Sequence, residues 1–117
     1  MCEQTNLGRI HIAPRAIATI ASLAVMESYG VVGMTNKNLA GDLAEILQKD
    51  HWLRGVEVRM DGDAITIDLY IVLEYGLRLS EVAHNIMSAV KYSVEKALGV
   101  PVGSVNVHIQ GIHMSDR

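Results

Sequence analysis

An alternating apolar pattern over residues 65–73 constrains the fold more than any other part of the sequence. Every second residue of this run is Ile or Leu, and Thr66 and Asp68 stand between them. A period of two is typical of a β-strand with one face against a core. Tyr70 and Val72 interrupt the alternation, because they place large apolar side chains on the opposite, supposedly wet face. The pattern therefore predicts a strand whose second face is also covered.

The residues around this run predict a hairpin and a series of further elements. Asp61-Gly62-Asp63 separates the run from the segment Val-Glu-Val-Arg-Met at 56–60, and Asp-Gly suits the tight turns that match strand twist. Apolar periods and chain breakers predict the other elements in the same way. These are a strand over 7–12, a helix from Pro14 to a stop at Gly30, an edge strand over 31–34, a weak helix over 38–48, a helix over 80–98 and a strand over 104–112.

The helix over 80–98 is the clearest of these elements. Its apolar residues form one stripe, Ser80 suits the N-cap position, and Gly99 suits a left-handed stop. A strand precedes this helix and another follows it, so a crossover would make the last strand parallel to residues 65–73. The sequence therefore predicts a two-layer α+β fold, in which about three helices pack on a small mixed β-sheet.

Composition bounds the number of domains and the classes of partner. One domain is expected over residues 1–117, because a chain of this length can bury a core and half of it is apolar. Ten Lys and Arg against thirteen Asp and Glu give a net charge of −3, which argues against nucleic acid as a partner. The apolar stretch 16–26 is too short to span a bilayer, so no direct membrane insertion is expected. A lone cysteine, Cys2, suits a reducing cytoplasm.

Residues that carry chemistry in other proteins are scattered along this chain. The five histidines lack the short spacing of a zinc site, although His11 and His108 both face the polar side of predicted strands. The serines lack a Gly-x-Ser-x-Gly elbow, and the glycines match neither a phosphate-binding loop nor a dinucleotide fingerprint. The sequence thus predicts no catalytic residue, no metal site and no cofactor, and the protein is expected not to be an enzyme.

Four residues are candidates for contact with a protein partner. Tyr70 and Val72 lie on the second face of the predicted strand, and Tyr75 follows at its end. Trp52 lies between the weak helix and the hairpin. It either plugs the end of an aliphatic core or anchors a partner at the rim, since Trp is enriched in binding hot spots.

Two explanations for the second face remain open at this point. In the first, the weak helix over 38–48 folds across the face and buries it within the chain. In the second, the face is a docking surface for another copy of this chain or for a membrane-anchor partner. Asp68 and Glu74 flank the apolar pair, which gives the apolar centre and polar rim of an interface.

Three stretches of the chain resemble one known family in content, order and spacing. They cover about residues 7–112 and read LGRIHIAPRAIATIASLAVMESYGVVGM, GVEVRMDGDAITIDLYIVLEYG and VAHNIMSAVKYSVEKALGVPVGSVNVHIQGI. The Glu-Tyr-Gly, Leu-Gly-Val and Val-Asn-Val sequences within them form a specific combination. On these residues the chain resembles the alkaline shock protein family of small bacterial stress proteins.

This resemblance implies a small, cytoplasmic, non-enzymatic protein of mainly Gram-positive bacteria. It links the chain to cell-envelope and alkaline stress. It also implies attachment to the membrane through a separate anchor protein, and self-assembly into a homo-oligomer. No catalytic residue is implied, which agrees with the scattered residues described above.

The functional hypothesis is an adaptor or scaffold that acts through protein–protein contacts in cell-envelope homeostasis. A second hypothesis, from another class, is a small regulatory or ligand-binding subunit of a metabolic enzyme. Stoichiometric purification with one enzyme, or a ligand that raises the melting temperature, would favour the second.

Overall fold

The computed structural model describes residues 2–4, 6–35, 55–62 and 64–114. They form a main sheet of four strands, two helices and a separate pair of short N-terminal strands. In chain order the elements are β1 (Cys2–Gln4), β2 (Arg9–His11), α1 (Pro14–Met26), β3 (Val31–Met34), β4 (Val56–Asp61), β5 (Ala64–Glu74), α2 (Leu79–Leu98) and β6 (Ser104–His113). The alternating run of the sequence is thus β5, the longest strand of the main sheet.

Strand β5 lies at the centre of the main sheet and pairs with all three other strands. β6 runs parallel to it, from Thr66 opposite Ser104 to Glu74 opposite His113, and the register shifts by one residue between Ile71 and Val72. β4 pairs antiparallel with the first half of β5, and β3 pairs antiparallel with the second half. Because β6 follows both halves along one edge of β5, β3 and β4 must share the other edge in succession.

Both helices pack on one face of this sheet, and the core lies between the two layers. The aliphatic side chains that alternate along β5 are all buried there, as are residues from one side of each helix. The β5 members are Ile65, Ile67, Leu69, Ile71 and Leu73, and the helical members include Ile17, Ala21, Val25, Ile86, Val90 and Val94. Burial of aliphatic side chains of this size contributes about 1.5–3 kcal/mol each, before the entropic cost of ordering.

The helix ends follow the sequence signals in part. Helix α1 begins after Ala13, which offers no side-chain cap, and Pro14 occupies a position that needs no donor. Helix α2 ends at Gly99 in the left-handed conformation, with φ of 77°. The prediction that Ser80 caps α2 was wrong. Arg78 is the last extended residue, with ψ of 100°, so Ser80 already lies inside the helix.

The mixed two-layer α+β fold and the parallel last strand are confirmed. The prediction of about three helices was too high for the described residues, which contain two. The third helix, expected near 38–48, lies outside the described residues. The strand expected over 7–12 is the shorter β2, which pairs with β1 rather than with the main sheet. Neither described helix is both long and apolar enough to cross a bilayer.

Candidate functional site

The candidate site lies on the face of the main sheet that points away from the helices, which we term the second face. Alternation along β5 turns Thr66, Asp68, Tyr70 and Val72 to this face, opposite to the core residues. The strand register then places specific neighbours beside them. Asp68 lies between Glu57 of β4 and Asn106 of β6, and Tyr70 lies beside His108 of β6.

Asp68 is the hub of a hydrogen-bonded cluster at the centre of this face. Arg59 Nη2 donates to its Oδ2 at 2.8 Å. Asn106 Nδ2 and His108 Nε2 approach its Oδ1 at 3.1 Å and 3.0 Å. Both carboxylate oxygens are therefore engaged, by side chains from the strands on either side. We term Arg59, Asp68, Asn106 and His108 the Asp68 cluster.

Hydrogen bonding keeps the buried carboxylate of the Asp68 cluster ionised. Only 5% of Asp68 is exposed, and this burial by itself raises its pKa. Hydrogen bonds from His108, Asn106 and Arg59, with the positive charge of Arg59, act in the opposite direction and leave the pKa below its ordinary value. The hydrogen bond between Arg59 and Asp68 in turn raises the pKa of Arg59. The face thus holds a fixed negative charge beneath a fixed positive one.

The partners of Asp68 reach from the buried carboxylate to solvent. The Arg59 side chain is 58% exposed and the His108 side chain 43% exposed, whereas the Asp68 side chain is 7% exposed. An ionised carboxylate only accepts hydrogen bonds, so Nε2 of His108 carries the proton in this contact. The carboxylate therefore determines the tautomer and the orientation of a half-exposed imidazole.

Tyr70 stacks on His108 and completes the centre of the second face. The two ring centroids are 4.6 Å apart, and the ring planes differ by 9°. Asp68 holds one member of the stack, and the rigid central strand holds the other. The result is a pre-ordered aromatic surface, half exposed and built on strands rather than on a loop.

The structure describes three of the four predicted contact residues, and it places them in different surroundings. Tyr70 is half-buried in the stack, and Val72 is buried on the same face beside Gly111. Tyr75 is 64% exposed just beyond the end of β5, where its N–H donates to the carbonyl of His113 at 2.8 Å. Trp52 lies outside the described residues. The contact role of these residues stays a prediction.

Sequence analysis missed the role of Asp68 and named it only as part of a polar rim. One signal was available, because a carboxylate in the middle of an apolar strand is rarely buried without a partner. Its partners Asn106 and His108 are distant in sequence, so the pattern along one strand did not reveal them. Across the described ranges, no group of three or more His, Cys, Asp or Glu residues is arranged to hold a metal ion.

Comparisons with known proteins show which family the chain is similar to. The model of the alkaline shock protein 23 family, which is described by a cell envelope-related function, matches residues 2–114. The protein YloU of Bacillus subtilis is 45% identical over 114 residues, which cover 97% of this chain and 95% of YloU. The protein YqhY of the same organism is 32% identical over 115 residues, which cover 98% of this chain and 84% of YqhY.

Among solved structures, a zinc form of the MamM CTD aligns with 87% of this chain and 86% of its own. The TM-score is 0.48 and the sequence identity is 17%. A nickel form of the same domain aligns with a TM-score of 0.47 and 19% identity, over 86% of this chain and 98% of its own. Similarity at this level carries no argument about the site.

Proposed function

Because this chain belongs to the alkaline shock protein 23 family, we propose that it is a non-enzymatic, stress-related adaptor in cell-envelope homeostasis. It acts by binding a protein partner in the cytoplasm through the second face of its main sheet. Where that partner is a membrane protein, the contact brings the chain to the membrane. The observation that supports this proposal most directly is the Tyr70–His108 stack, a half-exposed aromatic surface above the buried carboxylate of Asp68.

The chemistry of the second face favours one kind of partner. Its described carboxylates are Glu57, Asp61, Asp68 and Glu74, and its described guanidinium is Arg59, so carboxylates outnumber guanidinium groups by four to one. His113 Nδ1 lies 3.6 Å from Glu74 Oε2 and adds positive charge only when it is protonated. A partner that brings an apolar or aromatic side chain to the stack and basic residues to its margin is complementary to this face.

Pre-organisation also supports a binding role for this face. Ordering a flexible side chain on binding costs about 0.5–1.5 kcal/mol. The imidazole of His108 is already held by Asp68, and Tyr70 is held by the stack and by β5. A partner that docks there therefore loses little free energy to ordering. Tyrosine is also among the residue types enriched in binding hot spots.

We expect the substitution Tyr70→Glu to weaken capture of the partner, because it adds a negative charge and removes the stack. Tyr92→Glu is the matched control. It makes the same change at a residue of α2 that is 64% exposed on the helical layer. Tagged wild type and both variants are purified from native cells, and soluble and detergent-extracted fractions are analysed by mass spectrometry. The partner should be recovered with wild type and Tyr92→Glu, and at least tenfold depleted with Tyr70→Glu.

Circular dichroism and thermal melting of each variant accompany the capture experiment. Equal recovery with both variants would contradict docking at the second face. A Tyr70→Glu chain that no longer folds would identify Tyr70 as a core residue, and that result would contradict the proposal as well. Stoichiometric recovery of one metabolic enzyme with all three chains would favour a regulatory subunit instead.

A further inference from the structure

A cavity of about 310 Å³ lies between the end of α1 and helix α2. The residues that line it recur at spacings of three and four along each helix, so they share one helix face. Several of them have short side chains, namely Ala24, Ser28, Ala89 and Ser93. Because short side chains stand where the two helices meet, they leave the space between the helices unfilled.

The polar part of the lining carries one negative charge. It consists of Glu27, Ser28, Tyr29, Asn85 and Ser93, and no described Lys, Arg or His lines the cavity. Ser28 Oγ donates to the carbonyl of Ala24 at 2.9 Å. Within the described ranges, no side-chain hydrogen bond or ion pair engages Glu27, Asn85 or Ser93. A carboxylate, an amide and a hydroxyl are therefore available to a ligand.

We propose that this cavity binds a small organic cation, an ammonium group on a compact apolar body. The ammonium donates to the Glu27 carboxylate, and hydrogen bonds that involve ionised groups are about twice as strong as neutral ones. Tyr29 lines the same cavity, is 77% exposed and supplies an aromatic ring, whose face attracts cations. The apolar body contacts the aliphatic part of the lining, which is Ala24, Val82, Ile86 and Ala89.

The volume of the cavity sets the size of this cation. One water molecule takes up about 30 Å³ of the liquid, so about 310 Å³ corresponds to about ten non-hydrogen atoms. Ligand sites in proteins begin at about 300 Å³, so this cavity suits a small molecule rather than a peptide. Anions are disfavoured, because Glu27 repels them and no described lining residue is basic. Benzylamine, which is protonated at neutral pH, is a probe of suitable size and charge.

This cavity belongs to the helical layer, because no described residue of the main sheet lines it. The inference is therefore independent of the protein contact proposed for the second face, and either can fail without the other. A ligand that binds only the folded chain stabilises it by mass action. A cation held between α1 and α2 should thus raise the melting temperature as its concentration increases.

A titration followed by ¹H–¹⁵N correlation spectra of the full-length protein tests the site and the charge of its ligand. Benzylamine, benzyl alcohol and benzoate share a phenyl ring, but they are cationic, neutral and anionic at pH 7. We expect saturable shift changes with benzylamine at millimolar concentrations, confined to the surroundings of residues 24–29 and 82–93. The dissociation constant should be at least tenfold higher for benzyl alcohol, and benzoate should not bind measurably.

Three variants assign the contacts, and thermal melting shows whether each one folds. Glu27→Gln removes the charge and keeps the shape, so the affinity for benzylamine should fall about tenfold, to that for benzyl alcohol. Glu81→Gln is the matched control, because Glu81 lies on α2 outside the lining, with its side chain 65% exposed. It should change the affinity by less than twofold. Ala89→Leu fills the cavity and should abolish the binding of both compounds.

The proposal would be overturned by the absence of a saturable change with benzylamine, or by equal affinity for benzyl alcohol. Equal losses from Glu27→Gln and Glu81→Gln would overturn it as well. So would shift changes spread over the whole surface, because they would indicate unspecific attraction to a chain of net charge −3. Glu27 and Glu81 are both exposed, so the comparison of their variants remains decisive even if Ala89→Leu does not fold.

Discussion

At the scale of single residues, Asp68 determines what the second face can do. A carboxylate with 5% exposure is tolerated because three side chains donate to it. Those hydrogen bonds also orient His108 and, through the stack, support the position of Tyr70. One buried charge thus links the stability of the sheet to the geometry of the proposed contact surface.

We expect Asp68→Asn to lower the free energy of unfolding by about 1–3 kcal/mol at pH 7, the usual range for a hydrogen-bonded charge. The folded state depresses the pKa of Asp68, so its contribution is present above the ordinary pKa near 4 and is lost as the pH falls through and below that value. The difference in stability between wild type and variant should therefore shrink below about pH 4. Urea denaturation at pH 7 and pH 3 measures both differences.

Asp61→Asn provides the control for this prediction. It makes the same substitution at an exposed turn residue, where we expect a change within about 0.5 kcal/mol. A difference between wild type and Asp68→Asn that is the same at both pH values would contradict the proposed role of the ionised carboxylate.

Alternation in the sequence correctly turned Asp68 and Tyr70 to the same face, but it did not predict the burial of Asp68. The three donors lie 9, 38 and 40 residues away along the chain. The register in which their strands pair with β5 does not follow from any local sequence pattern. The stack of Tyr70 on His108 was missed for the same reason. It depends on the parallel pairing of β5 with β6.

At the scale of elements, the connection from α2 to β6 positions the strand that supplies Asn106 and His108. Glu95, in the last turn of α2, accepts a hydrogen bond from the backbone N–H of Val102 through Oε2 at 2.8 Å. Val102 is buried, and Gly99 reverses the chain between them. The carboxylate thus satisfies a donor that the turn would otherwise leave unpaired.

We expect Glu95→Ala to lower the free energy of unfolding by about 1–3 kcal/mol, because the buried N–H of Val102 loses its acceptor. Glu95→Gln is the matched variant. It keeps an oxygen in place of Oε2 and should lose clearly less. Urea denaturation of both variants at pH 7 measures the difference, and equal losses would contradict a specific role for this hydrogen bond.

Most of the elements could be predicted because each has its own periodicity and breakers. The hairpin at Gly62, the stop of α2 at Gly99 and the span of β6 all appear within a residue or two of their predicted positions. The start of α2 was misassigned because Ser80 has the chemistry of a cap, whereas the backbone becomes helical directly after Arg78. Strand β1 has only three residues, too few for a pattern to appear.

At the scale of the whole molecule, the two faces and the two edges of the main sheet differ in what they contact. One face is committed to the helices and holds the core, and one edge is blocked by charge and short strands. Among the described residues, no helix packs on the second face, where we propose the contact with a partner. The crossover from β5 to β6 was predictable from the order of the elements, whereas the difference between the two edges emerged only from the strand order.

The central claim is that the second face binds a protein, and photo-crosslinking in native cells tests it most directly. A photoreactive benzoylphenylalanine replaces Tyr70 in one strain and Tyr92 in another, and adducts are identified by mass spectrometry after irradiation. The account predicts an adduct with one cell protein from position 70 that is absent from position 92. Adducts that are the same at both positions, or that form only at position 92, would contradict it.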